Sequence, residues 1–122
     1  MHRSAVAYKR VFVDSAPPAR VLDELFGRLL ADIEEARASI ERRDIVTKAR
    51  SINHALAILT ELRAALDART SEQLCAGLDR LYDFSAARII AGSSELAVQP
   101  LDEATRVLAQ LRDAFRLASE AK

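Results

Sequence analysis

Apolar residues recur along this chain at alternating steps of four and three, the spacing that stacks side chains on one face of an α-helix. Leu22, Phe26, Leu29, Ile33, Ala36 and Ile40 mark a first helix. Ser15-Ala16-Pro17-Pro18 supplies its start, because serine caps a helix well and proline is tolerated in a first turn whose amides lack intrahelical partners. Gly27 reads as a tolerated interior glycine costing about 1 kcal/mol against alanine. The pattern breaks at Arg42-Arg43-Asp44, where Asp44 can cap a second helix whose core face is Ile45, Ala49, Ile52, Leu56, Leu59 and Leu66. A second break spans residues 67–71, with Thr70 or Ser71 as cap. Leu74, Leu78, Leu81, Phe84 and Ile89 then mark a third helix that Gly92-Ser93-Ser94 should end. After a longer connection through Pro100, a fourth helix carries Leu101, Ala104, Leu108, Leu111, Phe115 and Ala118. Short links make consecutive helices antiparallel, so the expected fold is all-α, an up-down-up-down four-helix bundle. The bundle takes residues 15–122 as one domain. Residues 1–14 form a segment too apolar for a free tail, with Val6, Tyr8, Val11, Phe12 and Val13, and are expected to pack on it.

Composition narrows the function. A chain of 122 residues with three glycines and three prolines has the size of one domain and favours long helices. Eighteen basic residues balance eighteen acidic ones, so no overall field gathers nucleic acid. The start has no apolar signal core, and no apolar run approaches the ~20 residues a bilayer span needs, which leads us to expect a soluble cytoplasmic protein without membrane insertion. Cys75 stands alone, is best read as a small apolar residue, and excludes an internal disulfide.

On the second helix Ser51, Ala55, Ile58, Leu62 and Ala65 form another stripe beside the core stripe, and together the two span roughly half the circumference against the ~100° of an ordinary surface helix. Two readings stay open: a groove for a helical partner, or a helix packed internally between two neighbours. His54 falls in phase with Thr47, Arg50 and Glu61 on a polar strip, which raises a histidine phosphotransfer protein as an alternative. The residues that follow, Ala55-Leu56-Ala57-Ile58, lack the lysine and glycine of such modules, so a solvated surface histidine is the better reading. Neither His2 nor His54 has a glutamate three residues before it, against a di-metal carboxylate bundle. The acid pairs Asp23-Glu24, Glu34-Glu35 and Asp102-Glu103 sit between core positions and read as solvated faces. No nucleophile-base arrangement can be nominated, so neither enzyme activity, cofactor nor metal is expected.

The order of several segments resembles the bacterial flagellin export chaperones over about residues 7–118. The most specific is Leu81-Tyr82-Asp83-Phe84 followed by Arg88-Ile89-Ile90, although Ser85 replaces a usual large apolar residue. Tyr8-Lys9 with Ser15-Ala16-Pro17-Pro18, Asp44-Ile45, Glu61-Leu62 with Leu66-Asp67, and Leu111-Arg112-Asp113 with Phe115 follow in family order. In the first helix Phe26 stands where the family has a tyrosine, and Gly27 where it has an aspartate. The resemblance implies a non-enzymatic cytoplasmic chaperone that holds the disordered C-terminal segment of flagellin, prevents premature polymerisation and passes it to the flagellar type III export gate. It leaves room for a regulatory protein on the same surface; an unrelated helical interaction module is the other alternative. It also implies a displaceable cover containing Tyr8 and Val11, and partner contacts at Ala55, Ile58, Leu62, Tyr82, Arg88 and Ile89.

Overall fold

The computed structural model describes residues 19–67 and 72–120, and these form four helices: α1 Ala19–Glu41, α2 Ile45–Asp67, α3 Glu72–Glu95 and α4 Val98–Glu120. Each helix packs on two others in the cyclic order α1, α2, α3, α4, which closes the four into a ring. Cross-helix bonds give the directions. Asp32 meets His54 across the turn at residues 42–44, Arg63 meets Asp79 while Lys48 meets Ser93, Arg88 meets Glu103 across the turn at residues 96–97, and Arg37 meets Asp102 while Asp23 meets Arg112, so neighbouring helices run antiparallel. The expected four-helix bundle is the observed one. The proposed start of α1 at residues 15–18, the cap at Thr70 or Ser71 and the segment 1–14 lie outside the described residues.

The two described turns end their helices in the same way. Arg43 and Leu96 adopt left-handed backbone conformations, with φ of 60° and 53°. The amide of Asp44 returns to the carbonyl of Ser39 at 2.8 Å, and that of Ala97 to Gly92 at 3.1 Å, satisfying carbonyls the helix end would leave unpaired. Asp44 then serves the next element: its carboxylate accepts the Thr47 amide at 3.1 Å as the cap of α2. The Thr47 hydroxyl and amide, with Arg42, hold that carboxyl below its ordinary range.

Two expectations about the second turn are corrected. Gly92 does not stop α3, which continues to Glu95, and the connection to α4 is only Leu96-Ala97. Pro100 lies in the first turn of α4, where a missing N–H removes no helical bond. Gly92 is buried and faces Leu101, so it serves close packing between α3 and α4.

The core is built as expected from α1 and in part from the others. Leu22, Phe26, Leu29, Ile33 and Ala36 are buried on α1, Leu101, Ala104 and Leu108 on α4, and Phe26 stacks on Phe115 with ring centroids 6.2 Å apart. On α2, Ile52, Leu59 and Leu66 are buried as expected, whereas Ile45 and Ala49 are exposed. The phase of α3 differs: Leu78, Tyr82, Ser85 and Ile89 face inward, while Leu81 and Phe84 are exposed. Tyr82 brings the largest ring of the segment to the core, and Ser85 and Gly92 on the same stripe are small enough to let it close.

Gly27 also has a specific role. A Cβ there would lie 3.0 Å from Arg112 Nη2, so the bare glycine leaves room for that guanidinium to pass across α1. The tolerated reading of Gly27 therefore gives way to a packing one. Arg112 donates to Asp23 through Nε and Nη2 at 2.9 and 3.2 Å, and Arg116 donates to the same carboxylate at 2.5 and 3.0 Å. These paired hydrogen bonds, Arg116's foremost, hold the Asp23 carboxyl far below the usual carboxylate range.

The sign of the pH effect follows. A carboxylate whose pKa is lower folded than unfolded stabilises fully above its unfolded pKa of about 3.9 and loses that contribution as pH falls through the unfolded value toward the folded one. Asp23→Asn should therefore lower stability at neutral pH by about 1 kcal/mol, since each partly exposed arm is worth little. Its unfolding midpoint should decline less steeply than wild type below about pH 4, as thermal melts across acid pH would read.

Candidate partner surface

The residues nominated for partner contact fall into three places. Tyr8 and Val11 lie outside the described residues. Ala55, Ile58 and Leu62 are 0%, 3% and 0% exposed, and Ser51 and Ala65 are buried beside them. The second stripe of α2 is thus interior, and the groove reading of these positions is corrected: a helix clasped by α1 and α3 buries both of its stripes. Tyr82 and Ile89 are buried as well, so none of these five side chains lines an open groove. A partner reaching them has to displace packed side chains. Of the described members of the set Arg88 alone stands at the surface, about one-third exposed, with Nη1 3.6 Å from Glu103 Oε1.

The side chains that are open are ones the hydrophobic pattern assigned to the core or left unassigned. Ile45, Val46 and Leu96 are exposed at the end of the bundle where both described turns lie; Leu81, Phe84 and Ile90 are exposed along α3. The signature segment therefore splits by helical phase: Tyr82, Ser85 and Ile89 go to the core, while Leu81, Phe84, Arg88 and Ile90 reach the surface. The signal available in the sequence was the choice of phase. Leu78, Tyr82, Ser85 and Ile89 have the same four-and-three spacing as the stripe through Leu81 and Phe84.

Polar groups around this surface are arranged for structure. Arg63 of α2 binds Asp79 at 3.0 Å and Asp83 at 2.9 Å on α3. Lys48 Nζ donates to the Ser93 carbonyl at 3.2 Å and lies 3.1 Å from its hydroxyl, joining the other end of the same pair of helices. His54, expected as a solvated residue, is half-exposed with Nδ1 2.5 Å from Asp32 Oδ2, so it links α2 to α1. Among the described residues no three His, Cys, Asp or Glu side chains gather as a metal site, and no helix is long and apolar enough to cross a membrane.

The arrangement is one of helices, latches and open apolar side chains, and the sequence that builds it matches the family described as "Flagellar protein FliS" over residues 1–122. The chain belongs to the FliS family. A flagellar secretion chaperone FliSB of Pseudomonas aeruginosa is 31% identical over 103 residues, covering 84% of this chain and 82% of that protein. The flagellar secretion chaperones FliS of Vibrio cholerae and Salmonella typhimurium are 27% and 26% identical, covering 94% and 93% of this chain and 88% and 87% of those proteins. FliS proteins are flagellar chaperones and not enzymes, which agrees with the non-enzymatic reading of the sequence.

Proposed function

We propose that this FliS-family protein holds the disordered C-terminal segment of flagellin in the cytoplasm, prevents its premature polymerisation and delivers it to the flagellar type III export gate. The observation that carries the reading is the family match along the entire chain. The surface supports it physically. A disordered segment that orders on a bundle needs apolar side chains the core does not consume, and Leu81, Phe84 and Ile90 on α3, with Ile45 and Val46 on α2, are of that kind. Residues 1–14, with Tyr8 and Val11, are proposed as a displaceable cover for that apolar surface.

The test is binding of a flagellin C-terminal peptide to the purified protein, by calorimetry, with chelator present and no nucleotide. Saturable binding is expected; a strict need for metal or nucleotide would defeat the reading. His54→Gln should bind equally well, because holding a segment needs no nucleophilic imidazole. Deleting residues 1–14 should raise affinity or cause self-association through loss of an internal competitor. If both affinity and solubility stay unchanged, the cover is eliminated and the chaperone reading is left intact.

A further inference from the structure

Charges on α3 are sorted by flank. Asp79 and Asp83 lie on the side toward α2, where Arg63 holds both. Between Arg80 and Ala91 the outward stripe reads Arg80, Leu81, Phe84, Ala87, Arg88 and Ala91 without an acid, and the next acid in this phase is Glu95, the last residue of α3. Leu81 and Phe84 are 39% and 42% exposed on it. Arg80, one turn before Phe84, is exposed and makes no ion pair among the described residues. Arg88, one turn after, pairs among the described residues with Glu103 alone, at 3.6 Å and beyond hydrogen-bond length. An open phenylalanine is thus bracketed on its own stripe by two arginines, Arg80 without an ion pair among the described residues and Arg88 in one loose pair with Glu103.

We infer that this stripe docks an amphipathic helix whose apolar seam covers Leu81 and Phe84 and whose carboxylates meet Arg80 and Arg88. Arginine suits the task because its stem lies along apolar surface while its planar fork takes a carboxylate through two parallel bonds. The arginines lie eight residues apart on α3, a rise of about 12 Å, so the partner carries its acids about two turns apart with apolar residues between. A basic helix would meet like charge. So would a second copy of this chain paired stripe to stripe, because a two-fold axis sets arginine against arginine. The inference rests on the peptide-holding reading above and adds the chemistry of the segment held.

Two synthetic helical peptides of about 20 residues test it, each with leucines along one face, flanked by glutamates in one and by lysines in the other. With the full chain at low salt, fluorescence anisotropy should show the acidic peptide binding about tenfold tighter or more, with the advantage shrinking at high salt. Phe84→Ser should weaken the acidic peptide about tenfold. Arg80→Glu, which touches no ion pair of the fold, should reduce the preference, and adding Arg88→Glu should reverse it. Thermal melts should stay near wild type for Phe84→Ser and Arg80→Glu, since both positions are open. Equal binding of the two peptides, or indifference to Phe84→Ser, would overturn the inference, as would self-association that Phe84→Ser abolishes. A flagellin C-terminal peptide run in parallel separates the two claims. If it binds wild type and both variants alike, the stripe falls and the chaperone reading stands; if only the acidic peptide binds, and does so through the stripe, the reverse holds.

Discussion

Leu62→Asp is expected to unfold the protein, with far-UV circular dichroism losing its helical signal or its melting transition at ambient temperature. Leu62 is fully buried on the stripe of α2 between Ile58 and Ala65. The substitution removes a large apolar side chain from a packed core and places a carboxylate there without a partner. Cost above about 5 kcal/mol is comparable with the total stability of an ordinary domain, about 5–15 kcal/mol. Ile58→Asp should act alike. If either variant melted like wild type and lost only peptide binding, the stripe would be a surface and the packing described above would be wrong.

The second large effect is expected at Gly92, where valine should cost about 3 kcal/mol or more and lower the thermal midpoint by more than about 10 °C. A Cβ at this position would sit 2.7 Å from both Cγ and Cδ2 of Leu101 and 3.1 Å from the Ala97 carbonyl oxygen. Leu101 is itself fully buried, so its side chain has no open direction in which to withdraw. The Gly92 carbonyl also accepts the Ala97 amide that ends α3, which ties any shift of this turn to the α3–α4 packing. Gly92→Ala should fall between wild type and valine. A valine variant that melts like wild type would show that α3 and α4 are not this close.

The core faces of α1 and α4 were legible in the sequence because each carries one apolar stripe opposed by charges, which leaves a single phase to choose. On α2 the apolar residues cover too wide an arc, and periodicity alone did not say that Ile58 and Leu62 face inward while Ile45 faces out. On α3 a preference for large apolar residues selects Leu81 and Phe84, whereas the bundle selects Tyr82 with Ser85. A serine makes a good inward residue only when a neighbouring helix comes close, and that proximity is a property of the assembled fold. Gly92 misled for the same reason: glycine ends helices and also lets them touch, and only Leu101 opposite it decides. The candidate surface consists of what the core rejects, so an error of phase on α3 hid Phe84 while the signature segment around it was plain.

The carboxylate that accepts from two arginines sits at a special place in the order of assembly. Three seams of the ring join consecutive helices and can form from hairpins closed by short links. The fourth joins α1 to α4, and the Asp23–Arg112 bond spans a sequence separation of 89 residues. Closing so long a loop carries the largest entropic penalty of the four contacts, so this seam is expected to zip last. A latch made after the folding barrier changes how fast the ring opens while leaving how fast it closes nearly untouched. Asp23 thereby prolongs the closed ring severalfold, the kinetic equivalent of about 1 kcal/mol, and a nascent α1 can wait, paired with α2, until α4 arrives.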